Sequence, residues 1–179
     1  MKLFLAFKSA FIILLTTVMM TTSCSSIDCR LNGSVYCRYL LKDKDLNDVA
    51  FAYPLTIALC DTKKGDSIIL NSESNVSAFD LPMSHGNATD VIKITLSVTE
   101  TITEEDTVHY VTTPYTDIIR ITKTNEPYFE SIDCAPRYNH TIQGIQSSHN
   151  FIDSLVINNK RVTNDASSEN IYIFLNSAN

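Results

Sequence analysis

The chain has 179 residues and a formal net charge of −6 at pH 7, long enough for one domain with its own core. Its acidity argues against nucleic acid and anionic lipid headgroups as partners, because both repel it. With four glycines and no tryptophan, it lacks the Gly-x-Ser-x-Gly elbow of many hydrolases and the residue most expected on a sugar-stacking platform.

In chain order, Lys2 and Lys8 precede an apolar run, Ala10 to Leu15, that continues through Val18-Met19-Met20. Small residues Thr21-Thr22-Ser23 follow, and then Cys24. This pattern predicts a secretory signal over residues 1–23, with Cys24 acylated as the first residue of the mature chain. The apolar stretch is short for a spanning helix, whereas two acyl chains on Cys24 would supply stable membrane attachment. The signal carries two lysines and no acid, so its removal takes the net charge from −6 to −8. Residues 24–33 read as a lipidated tether, and 34–179 as one domain.

That domain reads as strands and turns. Val35 to Leu41 is a first strand. Tyr53, Leu55, Ile57 and Leu59 alternate with other residues, the mark of a strand with one buried face. Lys63-Lys64-Gly65-Asp66 should close a hairpin onto Ser67 to Leu70. Ile92, Ile94, Leu96 and Val98 alternate strictly with Lys93, Thr95, Ser97 and Thr99, and Glu104-Glu105-Asp106 separates this strand from Thr107 to Thr113. Breaks are expected at Thr113-Pro114-Tyr115, before Asp117 to Lys123, and at Asn125-Glu126-Pro127, before Tyr128 to Ile132. Tyr128-Phe129 reads as core. Phe151, Leu155 and Ile157 mark a further strand that ends at Asn158-Asn159-Lys160. Ile171 to Leu175, apolar on both faces, reads as a central or covered strand. Short helices fit only Leu46 to Tyr53 and Asn139 to Ser148, without an apolar stripe in either. Strands this short and evenly spaced predict an all-β fold, an antiparallel β-sandwich of immunoglobulin-like or related type.

Cys24 set aside, Cys29, Cys37, Cys60 and Cys134 form an even set. In an exported chain that predicts two disulfides, with three possible connectivities. None lies in a Cys-x-x-Cys pair, which argues against zinc. The best chemical cluster is Asp133, Cys134, His140 and His149, and Asp28 would be a further oxygen donor. A disulfide at Cys134 would silence that thiol as a nucleophile, and two histidines nine apart form no compact metal motif. No catalytic residue, metal or cofactor is therefore assigned. His140 and His149 stay as candidate ligand-binding residues, and Tyr36, Tyr39 and Tyr138 as aromatic surfaces. Ser26-Ile27-Asp28-Cys29 recurs as Ser131-Ile132-Asp133-Cys134, but without flanking similarity this is no repeat.

Asn125 to Cys134, His140 to Ile145, His149 to Ser154, Ile157-Asn158-Asn159, Ser26 to Cys29 and Phe79 to Met83 together resemble an uncharacterised lipoprotein family of Bacteroides-type bacteria, a domain of unknown function. The resemblance implies a lipid-anchored, mostly β envelope protein and carries no catalytic residues over. It includes cysteines matching Cys29 and Cys134 but not Cys37 and Cys60. Bridges tend to come and go as pairs, so the expected pairing is Cys29–Cys134 and Cys37–Cys60. The last two lie on consecutive strands, which are often neighbours. A serine at position 25 and a lone Asp28 point to the outer membrane, facing the periplasm. The expected function is a non-enzymatic binding or assembly module for an unknown envelope protein. The alternative is an envelope enzyme or small-ligand carrier with a site near His140 and His149.

Overall fold

A computed structural model describes residues 35–61, 65–104, 107–129, 131 and 134–176. These residues fold into strands, with no helix among them. The strands are β1 (Tyr36–Leu41), β2 (Leu55–Asp61), β3 (Gly65–Glu73), β4 (Ala78–Pro82), β5 (Thr89–Glu104), β6 (Thr107–Tyr128), β7 (Arg137–Gln146), β8 (Ile152–Ile157), β9 (Arg161–Val162) and β10 (Ile171–Leu175). They form two sheets, ordered β4-β1-β10-β8 and β3-β2-β5-β6-β7-β9. The signal over 1–23, Cys24 and the tether over 24–33 lie outside the described residues.

Period-two alternation builds the core. Leu55 and Ile57 on β2, Ile92, Ile94 and Leu96 on β5, Ile119 and Ile121 on β6 and Ile142 on β7 are all buried. They share one apolar cluster with Cys37, Tyr39 and Leu41 of β1, Leu81 of β4, Ile152 of β8 and Ile171 and Ile173 of β10. The two sheets therefore pack on a common core. Tyr39 stacks on Phe79, ring centroids 4.9 Å apart, and Phe51 meets Phe151 edge-on at 6.4 Å.

Several expectations hold. The β2–β3 hairpin closes with Asp61 opposite Gly65, whose φ of +81° is a conformation that suits glycine and few other residues. Glu104 pairs with Thr107, as the acidic turn predicted. β10, apolar on both faces, is central: it pairs with β8 on one side and with β1 on the other. The β1–β10 pair is parallel, so the four-stranded sheet is mixed rather than wholly antiparallel. The asparagine before β10 extends that pairing, since Asn170 accepts from the Arg38 amide on Oδ1 (3.0 Å) and donates its own amide to the Arg38 carbonyl (3.1 Å).

Other expectations fail for physical reasons. β6 runs unbroken through both prolines. Pro114 lies opposite Ser97, and the Ser97 amide bonds away from β6, to the Pro54 carbonyl at 3.0 Å. In an antiparallel ladder such a pair exchanges no bonds, so the missing proline donor costs that ladder nothing. Pro127 lies beyond the β5 pairing, which ends with Thr89 opposite Thr122. The strand stops at Tyr128, and Phe129 is 61% exposed, so Tyr128-Phe129 is not core. Asn139 to Ser148 is largely strand β7, and 46–53 holds no helix. Cys37 and Cys60 are both free thiols. Their strands are consecutive in sequence but belong to different sheets, which overturns the neighbour argument for a Cys37–Cys60 bridge.

Candidate functional site

The core-facing phase of β6 includes groups that no core wants. Asp117, Lys123 and Asn125 share the odd positions with Ile119 and Ile121. Asp117 and Lys123 are buried, which is costly for a charge unless its partners are supplied. Both are supplied, and each fixes a loop.

The Asp117 carboxylate accepts from the amides of Asn150 (2.9 Å), Phe151 (2.8 Å) and Ile152 (2.8 Å) and from the Ser148 hydroxyl. Burial alone would push this carboxyl up; the four donors outweigh it and hold the group below the usual carboxylate range. The chain between β7 and β8 is thereby tied to β6.

Lys123 performs the complementary task. Its ammonium donates to the carbonyls of Ser84 and Asn87, both at 2.7 Å, and to Asp90 Oδ1 at 3.2 Å. Burial raises the Asp90 carboxyl, and the Lys123 charge pulls against that rise. Two residues on, Asn125 donates through Nδ2 to the His85 and Asn87 carbonyls, both at 3.0 Å. Its Oδ1 is therefore left as an acceptor facing His140 Nδ1 at 2.8 Å, which fixes the imidazole proton on Nδ1. Burial, the nearby Lys123 charge and His85 push His140 down to about 4, so it is neutral at pH 7.

That gives a pH prediction. The His140 pKa is depressed from 6.5 to about 4 in the fold, so between those values the unfolded chain binds more protons. Stability present above pH 6.5 falls as pH drops through this window, by about 3 kcal/mol. His140→Gln should remove the dependence between pH 4 and 6.5. The Asp117 contribution has the same direction but is lost only at lower pH, below the ordinary carboxylate range. Urea midpoints taken across pH 2 to 7.5 would check both.

The two candidate histidines do not form one site. His140 lies near the start of β7, under the loop ahead of β5. His149 lies past the other end of that strand. It is exposed, in a left-handed conformation with φ 59°, and its Nδ1 donates to the Asp153 carbonyl at 2.9 Å. A surface groove of about 390 Å³ runs beside it, lined by Ile145, Gln146, Ser147, Ser154 and Leu155. His140 is thus a structural donor, and His149 a rim residue. Cys134 is disulfide-bonded, while Cys29, Asp28 and Asp133 lie outside the described residues. Among the described residues, no three His, Cys, Asp or Glu side chains gather to hold a metal ion.

The aromatic candidates divide as well. Tyr39 is core. Tyr138 has a face occupied by His85, stacked at 5.0 Å. Tyr36, half exposed, borders a groove of about 330 Å³ with Arg38, Asp80 and Asp165. Cys60 is partly covered; burial pushes its thiol up, as does its hydrogen bond to Asp66, and Asp66 is ion-paired to Lys93. That is a quiet thiol, not an activated one.

The feature that sequence reasoning missed is an arm. β2 pairs with β5 only from Leu59 opposite Ile92 to Leu55 opposite Leu96. β7 joins β6 only from Arg120 onward. Beyond those limits, among the described residues, Val98–Glu104 and Thr107–Thr113 pair with each other alone. Ile102, Val108, Tyr110 and Val111 are exposed on this ribbon, Tyr110 at 73%. Val98, Ile102, Val111 and Tyr115 continue the apolar phase of the core face past the body of the domain. On the opposite face Thr99 and Thr112 hydroxyls bond at 2.9 Å, and those of Thr95 and Thr116 at 3.0 Å. The signal was present: the apolar phase of Ile92, Ile94, Leu96 and Val98 is taken up again at Ile102 after Glu100, longer than one sheet layer needs. Asp117 and Lys123 left a signal too, as charges in the apolar phase of a strand.

No helix among the described residues is long and apolar enough to cross a membrane. In comparison with protein families, the sequence matches over residues 55–175 the one described as "Family of unknown function (DUF6452)". No curated protein and no solved structure matches.

Proposed function

Since the chain belongs to the family of unknown function DUF6452, we propose its role from its own geometry: a non-enzymatic assembly module that engages an envelope protein through the β5–β6 arm. One observation carries this reading. The arm is a two-stranded ribbon with both edges unpaired among the described residues and apolar side chains in solvent. Isolated ribbons are marginal on their own, and open apolar edges are usually blunted. An arm that keeps both is suited to docking.

The two sheets, read as the leaves of a β-sandwich related to immunoglobulin-like domains, would be the rigid base of that arm. Acylated Cys24 would tether this base to the outer membrane on its periplasmic side, with Cys29–Cys134 pinning the tether to the domain. This is the organisation that the resemblance to Bacteroides-type lipoproteins implies.

Two measurements test the proposal. Shortening the arm, by joining Ser97 to Pro114 through an Asn-Gly turn, should leave the thermal midpoint within a few degrees. It should also abolish capture of partners crosslinked in native membranes; unchanged capture would refute the reading. Cys24→Ser should release the protein from membranes or leave the precursor uncleaved. An unmodified Cys24 in the mature protein would refute the anchor.

A further inference from the structure

We propose that the occupant of the arm is a second copy of this chain, added along the free edge of β6 in a two-fold antiparallel pairing; this rests on the docking role given to the arm. The direction of the backbone groups is fixed by bonds lower down the same strands. The Ser97 amide points away from β6, to Pro54. Ile118 exchanges bonds with Ser148, its amide to the hydroxyl at 2.9 Å and its carbonyl from the Ser148 amide at 3.1 Å, on the side away from β5. The Thr116 carbonyl accepts from Asn150 on that same side. The β5–β6 register continues without a shift to Glu104 opposite Thr107. The even positions of β6 therefore turn outward, so that Val108, Tyr110 and Thr112 present both N–H and C=O to the open edge. Pro114, also outward, presents no donor.

The register follows. An antiparallel partner must match outward residues with outward residues. With Tyr110 opposite Tyr110 and Val108 opposite Thr112, every outward donor from Val108 to Thr112 finds a carbonyl, giving about six bonds. Centring on Val111 instead sets Val108 against Pro114 in both halves of the two-fold pair, so two of its ladder bonds go unmade. Charge and strand geometry distinguish this edge from the β5, β3 and β4 edges. From Thr107 to Thr116, β6 has no Asp, Glu, Lys or Arg, so the two copies bring no like charges together. Pairing through β5 would place Glu100 and Glu104 of both copies on one face of adjacent strands, which is repulsive. The β3 edge carries Asp66 and Glu73, has shifts in its register against β2, and is distorted at Ser72, φ 54°. The β4 edge is short and ends in Asp80-Leu81-Pro82. These are the devices that stop strands from pairing, and the β6 edge has only Pro114, at its base. The product is a continuous four-stranded ribbon, β5-β6-β6-β5, joining two domains.

The test uses the full chain with Cys60→Ser, so that an introduced cysteine does not compete with an accessible thiol. Tyr110→Cys in native membranes should give a disulfide dimer on mild oxidation, since a directly opposed hydrogen-bonded pair has Cα atoms about 5.5 Å apart. Thr101→Cys, on the β5 edge, should not. In detergent, sedimentation equilibrium should show a dimer whose dissociation constant rises at least tenfold with Thr112→Pro, which removes an outward donor of β6. Thr101→Pro, which removes an outward donor of β5, should change it less than twofold. Equal thermal midpoints for the two proline variants would show that both keep their hairpin. Failure of Tyr110→Cys to crosslink, or equal dissociation by both prolines, overturns the edge assignment. A chain monomeric at every concentration, whose arm is still needed to capture a different envelope protein, refutes the second copy and leaves the docking role standing. A monomer that loses nothing on arm shortening refutes both.

Discussion

Replacing Asp117 with alanine should destabilise the domain by about 3–5 kcal/mol, the range for leaving buried hydrogen-bonding partners of a charge unmatched. The reason lies in the number of groups that depend on one carboxylate. The amides of Asn150, Phe151 and Ile152 and the hydroxyl of Ser148 all donate to it. Phe151 and Ile152 are themselves buried, so water cannot readily replace the lost acceptor. For a domain of this size the change corresponds to a fall of roughly 10 °C in thermal midpoint. Asp117→Asn keeps the shape and one acceptor oxygen, so its cost should be roughly half. A urea melt in which Asp117→Ala costs under about 1 kcal/mol would show that the loop between β7 and β8 rearranges to satisfy its own amides.

Lys123→Met should have a comparable effect for the opposite electrical reason. The substitution retains much of the aliphatic stem but leaves the carbonyls of Ser84 and Asn87 unmatched and the Asp90 carboxylate without its counter-charge. Breaking such a pair from one side costs about 3–5 kcal/mol. Adding Asp90→Asn should recover part of the loss, because the stranded charge is then gone and only the two carbonyls remain. It should also raise His140 from its depressed value, since the Lys123 charge is one cause of that depression. A two-dimensional NMR titration of the imidazole would read this directly, and an unmoved His140 would count against the electrostatic account.

Local pattern was legible in the sequence, and assembly was not. Ile92, Ile94 and Leu96 revealed a buried strand face because side chains alternate strictly along β structure. Gly65 marked its hairpin because few residues tolerate that backbone angle. The sheet to which each strand belongs leaves no such local trace. Cys37 and Cys60 looked like neighbours only because their strands follow each other in the chain. His140 and His149 looked like a pair because nine residues seem a short distance, yet an extended strand spends about 3.3 Å on each residue. The prolines misled in the same way: Pro114 and Pro127 read as breaks, but each stands where no ladder bond is lost. Asp117 and Lys123 could have been singled out as charges in an apolar phase, although their partners come from loops that no periodicity describes.

The parallel pairing of β1 with β10 sets when this domain can become itself. The first and last strands of the described residues lie side by side, Tyr39 opposite Ile171, so their contact spans nearly the whole described domain. Such distant contacts slow folding, because the entropy of closing the loop must be overcome before the contact contributes. Until β10 arrives, β1 and β8 have no connection within their sheet, and the ribbon of β5 and β6 can form early from local contacts alone. A chain still being synthesised would then present its arm before its core is closed. A fragment cut to residues 55–175, the span of the family match, would lack β1 altogether. It would separate β4 from β10 and remove Cys37, Tyr39 and Leu41 from the shared core. The sheets and core of this domain therefore draw on residues that lie N-terminal to the matched span.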